Sequence, residues 1–211
     1  MKSIKVCMKE LVNVQKPEAS DISKNFQFFA DFIHELGMLK RVKHEGWRLA
    51  GVEFPDSVAD HCLRAAQIGY ILARLEKYGK PEEVCVIVLF HDIEECRTGD
   101  IHKVARRYVS KEGEKAVKDQ TEKLGDIGSG IFGMWEAAEM RNTRAGIIAK
   151  DADLLEQAFT AREYMENGHA SAQDWINNVS KALQTKSAKT LLAVLENSKS
   201  TDWWRGLKKL S

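Results

Sequence analysis

Apolar residues recur along this chain at helical spacing, and no segment shows the sustained alternation of a half-buried strand. From Ser23, the residues Phe26, Phe29, Ile33 and Leu36 fall three or four positions apart and predict a helix ending near Gly37. A charged, glycine-containing loop over 40–55 follows. Ser57 then reads as an N-cap, with Asp60 at the capping-box position of a long helix. Its inward stripe is Val58, His61, Ala65, Ile68, Leu72 and Leu75. Gly79-Lys80-Pro81 ends that helix, and Pro81 suits the first turn of the next. Residues 81–93 are apolar nearly all round, which predicts a helix central to the core that closes at His91-Asp92. A turn at Thr98-Gly99-Asp100 precedes a short helix over 101–109. Residues 111–143 are charged and carry glycines at 113, 125, 128, 130 and 133, so a surface loop and then a helix over 131–140 are expected. A second long helix spans 145–166, closed by Asn167-Gly168, and shorter ones lie near 171–184 and 187–196.

The pattern predicts an all-α protein with one main domain over 23–200. An N-terminal arm over 1–22, where Ile4, Val6 and Met8 alternate with Lys5, Cys7 and Lys9, precedes it. That arm is open to three readings: a short strand, a partner-binding segment or a tail. A basic tail over 201–211 holds Trp203 and Trp204. At 211 residues the chain can bury a substantial core. Its 32 basic and 31 acidic side chains leave a net charge of +1. That balance argues against nucleic-acid binding through many phosphate contacts. The longest apolar run, 84–90, is too short for a bilayer, so no membrane partner is expected. Four cysteines without a CxxC pair predict reduced thiols and a cytoplasmic protein.

Against this background four polar residues are out of place. His61 lies on the inward stripe of its helix, and His91 ends the most apolar helix. Asp92 follows at once, where a carboxylate opposes the helix dipole and needs a compensating positive charge. In Lys150-Asp151-Ala152-Asp153, one aspartate is expected to face solvent beside Lys150 and the other to turn toward the core. Taken singly, a core histidine with a hydrogen-bond partner, or a nearby Arg or Lys, explains each residue. Taken together, two imidazoles and two carboxylates from three helices suit one divalent cation, Mn, Co, Ni, Zn, Fe or Mg, with positions left to activate water.

These residues resemble the H…HD…D signature of the HD-domain metal-dependent phosphohydrolases. The surrounding segments 39–42, Gly46-Trp47, 56–61, 91–96 and 98–101 are similar in order and spacing to the 5′-deoxynucleotidase branch, over about residues 26–165. The resemblance implies an HD-domain helical bundle with extra C-terminal helices. It implies metal ligands at His61, His91, Asp92 and Asp153, the last preferred over Asp151 because the branch shows Lys-x-x-Asp here. It implies that Glu95 activates the water and Asp100 assists the leaving group, or that the two hold a second cation with the Ile101 carbonyl as in some members, with Trp47 against the sugar. An arginine precedes that tryptophan in bacterial members, whereas Gly46 stands here, so phosphate or sugar contacts fall to Arg41, Arg48 or Arg64. It also implies a nucleotide substrate and a homodimer.

The expected reaction is hydrolysis of (deoxy)ribonucleoside 5′-monophosphates by metal-activated water. Glu95, four residues after His91, can reach the ligands if the helical turn continues. Asp100 by default caps the 101–109 helix. Alternatives are another HD phosphohydrolase activity, on a dNTP, a cyclic nucleotide or a guanosine polyphosphate, and a non-catalytic metal-binding regulatory domain. His34, His44, His102 and His169 lie in polar settings and read as surface residues.

Overall fold

A computed structural model describes residues 19–207, so most of the N-terminal arm and Lys208 and Lys209 of the tail lie outside the described residues. Helix α1 (Ala19–Leu36) runs directly into a 3-10 turn at Gly37–Lys40. A 3-10 helix at Glu45–Ala50 leads to α2 (Val58–Leu75). Then follow α3 (Pro81–Leu89), the short α4 (Glu95–Thr98), α5 (Gly113–Thr121), α6 (Asp126–Met140), α7 (Arg144–Glu166), α8 (Gln173–Ala182) and α9 (Lys186–Glu196). No strand occurs among the described residues, where one bridge pairs Lys43 with Ser57. The all-α expectation holds.

The predicted helix starts have their expected chemistry. Ser57 Oγ accepts from the Asp60 amide at 3.2 Å, and the Asp60 carboxylate accepts from the Ser57 amide at 3.0 Å. The box satisfies two orphan donors and fixes where α2 begins, three residues before His61. Pro81 occupies the first turn of α3.

The core is centred on α7, not on the more apolar α3. Helix α7 packs against α2, α3, α6, α8 and α9, and its buried residues include Ile148, Ala149, Ala152, Leu155, Ala158 and Ala161. Its acids dilute the apolar signal, while its alanines let neighbouring helices close in. Helix α3 buries Val84, Ile87 and Val88 but leaves Leu89 about half exposed. Gly69 of α2 faces it, where a Cβ would lie 3.2 Å from the Val84 side chain.

Three local expectations are corrected. On α1, Phe32 is buried with Phe28, Phe29 and Leu36 against α5 and α6, while Phe26 and Ile33 face solvent. Phe29 and Leu36 of the predicted stripe do pack inward, but Phe28 and Phe32 join them in place of Phe26 and Ile33. The glycine-rich segment is not a surface loop, because α6 begins at Asp126 and includes Gly128, Gly130 and Gly133. A Cβ at Gly128 would stand 2.0 Å from the Thr121 carbonyl oxygen, so this glycine serves a close crossing with the end of α5. The 101–109 segment forms only a 3-10 turn at Ala105–Arg107. Among the described residues no helix is long and apolar enough to cross a membrane. Cys62, Cys85 and Cys96 are free thiols.

Candidate metal centre

Three elements deliver four side chains to one buried point. Helix α2 supplies His61, α7 supplies Asp153, and the turn between α3 and α4 supplies His91 and Asp92. The α3 helix stops at Leu89, and the His91 ring folds back so that Nδ1 meets the Val88 carbonyl oxygen at 2.7 Å. A carbonyl only accepts, so Nδ1 carries the proton and the Nε2 lone pair points away from it. The His61 Nδ1 likewise meets Glu156 Oε2. Glu156 is fixed in turn by Arg64 Nε at 3.0 Å, Arg64 Nη2 at 2.8 Å and Thr160 Oγ1 at 2.8 Å. Both imidazoles are therefore oriented from behind, as histidines that ligate metals usually are.

In front of the rings, His61 Nε2 lies 3.2 Å from Asp153 Oδ1 and 3.9 Å from Asp92 Oδ2. His91 Nε2 lies 3.1 Å from Asp92 Oδ2 and 3.7 Å from Asp153 Oδ1. Both Nε2 atoms are buried without a hydrogen-bond partner. Atoms bound about 2.1 Å from one ion stand roughly 3 Å or slightly more apart, so these separations suit a shared cation. The donor set, two neutral nitrogens and two carboxylates, is that of a borderline divalent ion. Two orphaned lone pairs facing two acids at these distances are what such an ion satisfies.

Electrostatics agree. Burial opposes charging His61, yet the Asp153 and Glu156 carboxylates beside the ring outweigh it and raise the ring well above the ordinary histidine range. Burial also opposes charging His91, and Asp92 and other neighbours overcome it. Asp153 is held well below the carboxylate range despite burial, by Lys150 and the two imidazoles. Asp92 is lowered too, chiefly by His91. The cluster is organised to hold positive charge.

Glu95 is buried, and burial together with the Asp92 charge pushes its carboxyl up to about 8. Asp100 Oδ2 accepts from the Glu45 amide at 2.8 Å. It thus caps the 3-10 helix at Glu45–Ala50, correcting the expected role on 101–109. Glu95 and Asp100 share with Asp92 and Asp153 the wall of a cavity of about 350 Å³. That volume lies in the size range of small-ligand sites.

The expected substrate contacts fare unevenly. Trp47 lines the cavity, but it is 1% exposed, stacked on Trp175 at 4.8 Å and edge-on to Tyr164. Trp175 of α8 is the half-buried aromatic on that wall. Arg41, Arg48 and Arg64 do not line the cavity. Arg41 reaches Met38, Arg48 pairs with Glu45 at 2.5 Å, and Arg64 is bound to Glu156 and Glu163. The cavity's cations are Lys103, Arg106 and Lys150. His44 and His102, expected at the surface, line it as well, and the His44 ring lies 4.6 Å from that of His61.

Asp151 is buried rather than solvent-facing. Its carboxylate accepts from the Gln184 amide at 3.0 Å and the Thr185 amide at 2.6 Å. Lys150 instead meets Asp153 Oδ2 at 2.6 Å. Glu156 was missed altogether, although a third acid beside Leu154 and Leu155 was a signal for it.

The HD domain family model matches residues 36–195. The chain is 30% identical to 5′-deoxynucleotidase HDDC2 of Dictyostelium discoideum over 151 residues, covering 67% of this chain and 80% of that one. It is 29% identical to 5′-deoxynucleotidase HDDC2 of Homo sapiens, covering 81% and 86%. A conserved hypothetical protein from Pyrococcus furiosus superposes with a TM-score of 0.66 at 28% identity, covering 80% of this chain and 99% of that one.

Proposed function

This chain belongs to the HD domain family, and from that premise we propose that it is a metal-dependent phosphomonoester hydrolase acting on (deoxy)ribonucleoside 5′-monophosphates. The observation that carries the reading is the pair of orphaned Nε2 atoms facing Asp92 and Asp153 beside a nucleotide-sized cavity.

His61, His91, Asp92 and Asp153 hold the divalent ion. Such an ion supplies a Lewis acid that lowers the pKa of water and neutralises phosphoryl charge. Glu156 and the Val88 carbonyl keep the two imidazoles facing it. Glu95, buried on the cavity wall, takes the proton as the water oxygen bonds to phosphorus and the P–O5′ bond breaks. Asp100 has one oxygen tied to Glu45, and a proton carried on the other passes to O5′ as the P–O5′ bond breaks, leaving Asp100 ionised and Glu95 protonated. Lys103 and Arg106 attract the phosphate, and Trp175, lying over Trp47, offers the aromatic surface for the nucleoside. A cytoplasmic homodimer completes the reading, supported by the free thiols and the family resemblance.

Phosphate release from a panel of dNMPs, NMPs and dNTPs, with Mn²⁺, Co²⁺ or Mg²⁺ added and bound metal quantified, tests it. Turnover of the monophosphates is expected. A metal-loaded protein that releases phosphate from none of them defeats the proposal.

A further inference from the structure

Beside Glu95, a chain of buried polar contacts runs to Lys111, Glu94 and Trp135, residues with no role in the reaction as described above. Asp92, Glu94 and Glu95 bring carboxylate oxygens within 4.8 Å of one another. Three acids at that spacing repel unless something positive lies among them. Lys111 does. Its Nζ lies 2.9 Å from Glu94 Oε1 and 2.9 Å from Glu95 Oε1, with only 11% of the side chain exposed. Glu94 cannot swing away, because its Oε2 accepts from Trp135 Nε1 at 2.9 Å. Trp135 is itself buried on α6, packed in the cluster that holds Phe32 and Ile93. The backbone at Gly113, two residues after Lys111, presses on the same group, since a Cβ there would touch Glu94 Cγ at 3.5 Å.

The result is asymmetric at Glu95. Oε1 is anchored by Lys111, whereas Oε2 is buried with no partner at all. A buried carboxylate oxygen without a partner is a cost that a purely structural pair has no reason to carry. One anchored and one unpartnered oxygen, on the wall of the reaction cavity, is the arrangement of a base held for a proton that arrives with the substrate. We propose that Lys111 is a positioning residue: it clamps Glu95 through one oxygen and so holds the other, unpartnered, at the cavity wall, while Glu94 and Trp135 keep the clamp in register. The inference rests on the reading of Glu95 as the group that accepts the water's proton. It adds a second support to the site, reached through the segment just before α5 and through α6, whereas the imidazoles are held from α7 and the end of α3.

A double-mutant cycle on the full-length, metal-loaded protein tests the clamp. kcat and KM for a deoxyribonucleoside monophosphate are measured for wild type, Lys111→Met, Lys111→Arg, Glu95→Gln and the Lys111→Met/Glu95→Gln pair. Bound metal and Tm are recorded for each. Lys111→Met is expected to lower kcat about 10–100-fold, the range for outer partners of a catalytic group, with KM and bound metal little changed. Lys111→Arg restores most of the rate. Glu95→Gln lowers kcat by about 100-fold or more, and adding Lys111→Met to it lowers kcat no further. A residue that only stabilises the fold gives losses that multiply in the pair and appear in Tm. Multiplying losses, a Lys111→Met rate equal to wild type, or loss of metal from Lys111→Met each overturn the clamp. Wild-type protein that turns over no monophosphate defeats the phosphohydrolase reading itself, and the clamp with it.

Discussion

Asp151 and Asp153 stand two residues apart on one helix, both buried, at 1% and 3% exposure, and they do opposite things. Asp151 points toward the start of α9. It receives the Gln184 and Thr185 amides, while the Thr185 hydroxyl caps the helix by accepting from the Ala188 amide at 3.3 Å. Every bond it makes is to the chain itself, and it balances the positive end of a helix. Asp153 points toward α2 and α3. Its partners are Lys150, Gln157 and two imidazole nitrogens that have no hydrogen-bond partner of their own. Residue type and burial do not distinguish the two. What separates a structural acid from a functional one is whether its surroundings are complete.

The comparison predicts different losses. Asp153→Ala removes a proposed ligand, so it should cost more activity than the roughly 10–100-fold typical of an outer-shell partner, and bound metal should fall with it. Adding Mn²⁺ should raise Tm in the wild type by mass action but not in this variant. Asp151→Ala leaves the buried Thr185 amide and the part-buried Gln184 amide without their acceptor and should destabilise the fold by about 2–3 kcal/mol, as charged hydrogen bonds of this kind do. Its folded fraction should still bind metal, and the Mn²⁺-dependent rise in Tm should persist. Loss of metal from folded Asp151→Ala would break the distinction.

A milder test works through the back of His61. Glu156→Gln removes the negative charge behind the ring and upsets the Arg64 pairing, and it should weaken metal affinity about 10–100-fold while leaving the four ligands in place. Isothermal titration with Mn²⁺ reads this directly. An unchanged affinity would mean that the imidazole is oriented by packing alone.

The sequence carried more of this than of the surrounding fold. His61 could be placed on an inward stripe because α2 has a capping box that fixes its start, and His91-Asp92 because α3 has Pro81 at its first turn. Asp151 and Asp153 could not be separated by periodicity, since both lie on a helix buried nearly all round; only the family's Lys-x-x-Asp spacing favoured the second. Distant partners with no motif to join them were not legible. Glu156 meets Arg64 across 92 positions, and Trp135 meets Glu94 across 41. The helix at Asp126 was hidden because its glycines look like a loop until Thr121 is seen pressed against Gly128.

The smallest predicted effect concerns a second acid of the Asp151 kind. Glu76, at the end of α2, accepts from the Ser187 amide at 2.9 Å and pairs with Arg144, so it too holds the start of α9. The Ser187 amide bond, aided by Arg144, holds its carboxyl below the usual range. A group with a depressed folded pKa contributes stability above its unfolded pKa and loses it as pH falls through the folded value. Wild type should therefore exceed Glu76→Gln in stability at pH 7, by about 1 kcal/mol, with the gap closing as acid carries Glu76 through its lowered titration. Denaturation at pH 7 and in steps below pH 4.5 measures it, the latter being about the unfolded value of a glutamate. Metal affinity at pH 7 should be the same in both proteins, because the acids around α9 face the chain and those around Asp153 face the cavity. A gap that widened in acid, or a Glu76→Gln protein that lost metal, would show that the two groups of carboxylates are coupled through α7 and that the separation drawn from Asp151 and Asp153 is local to that pair.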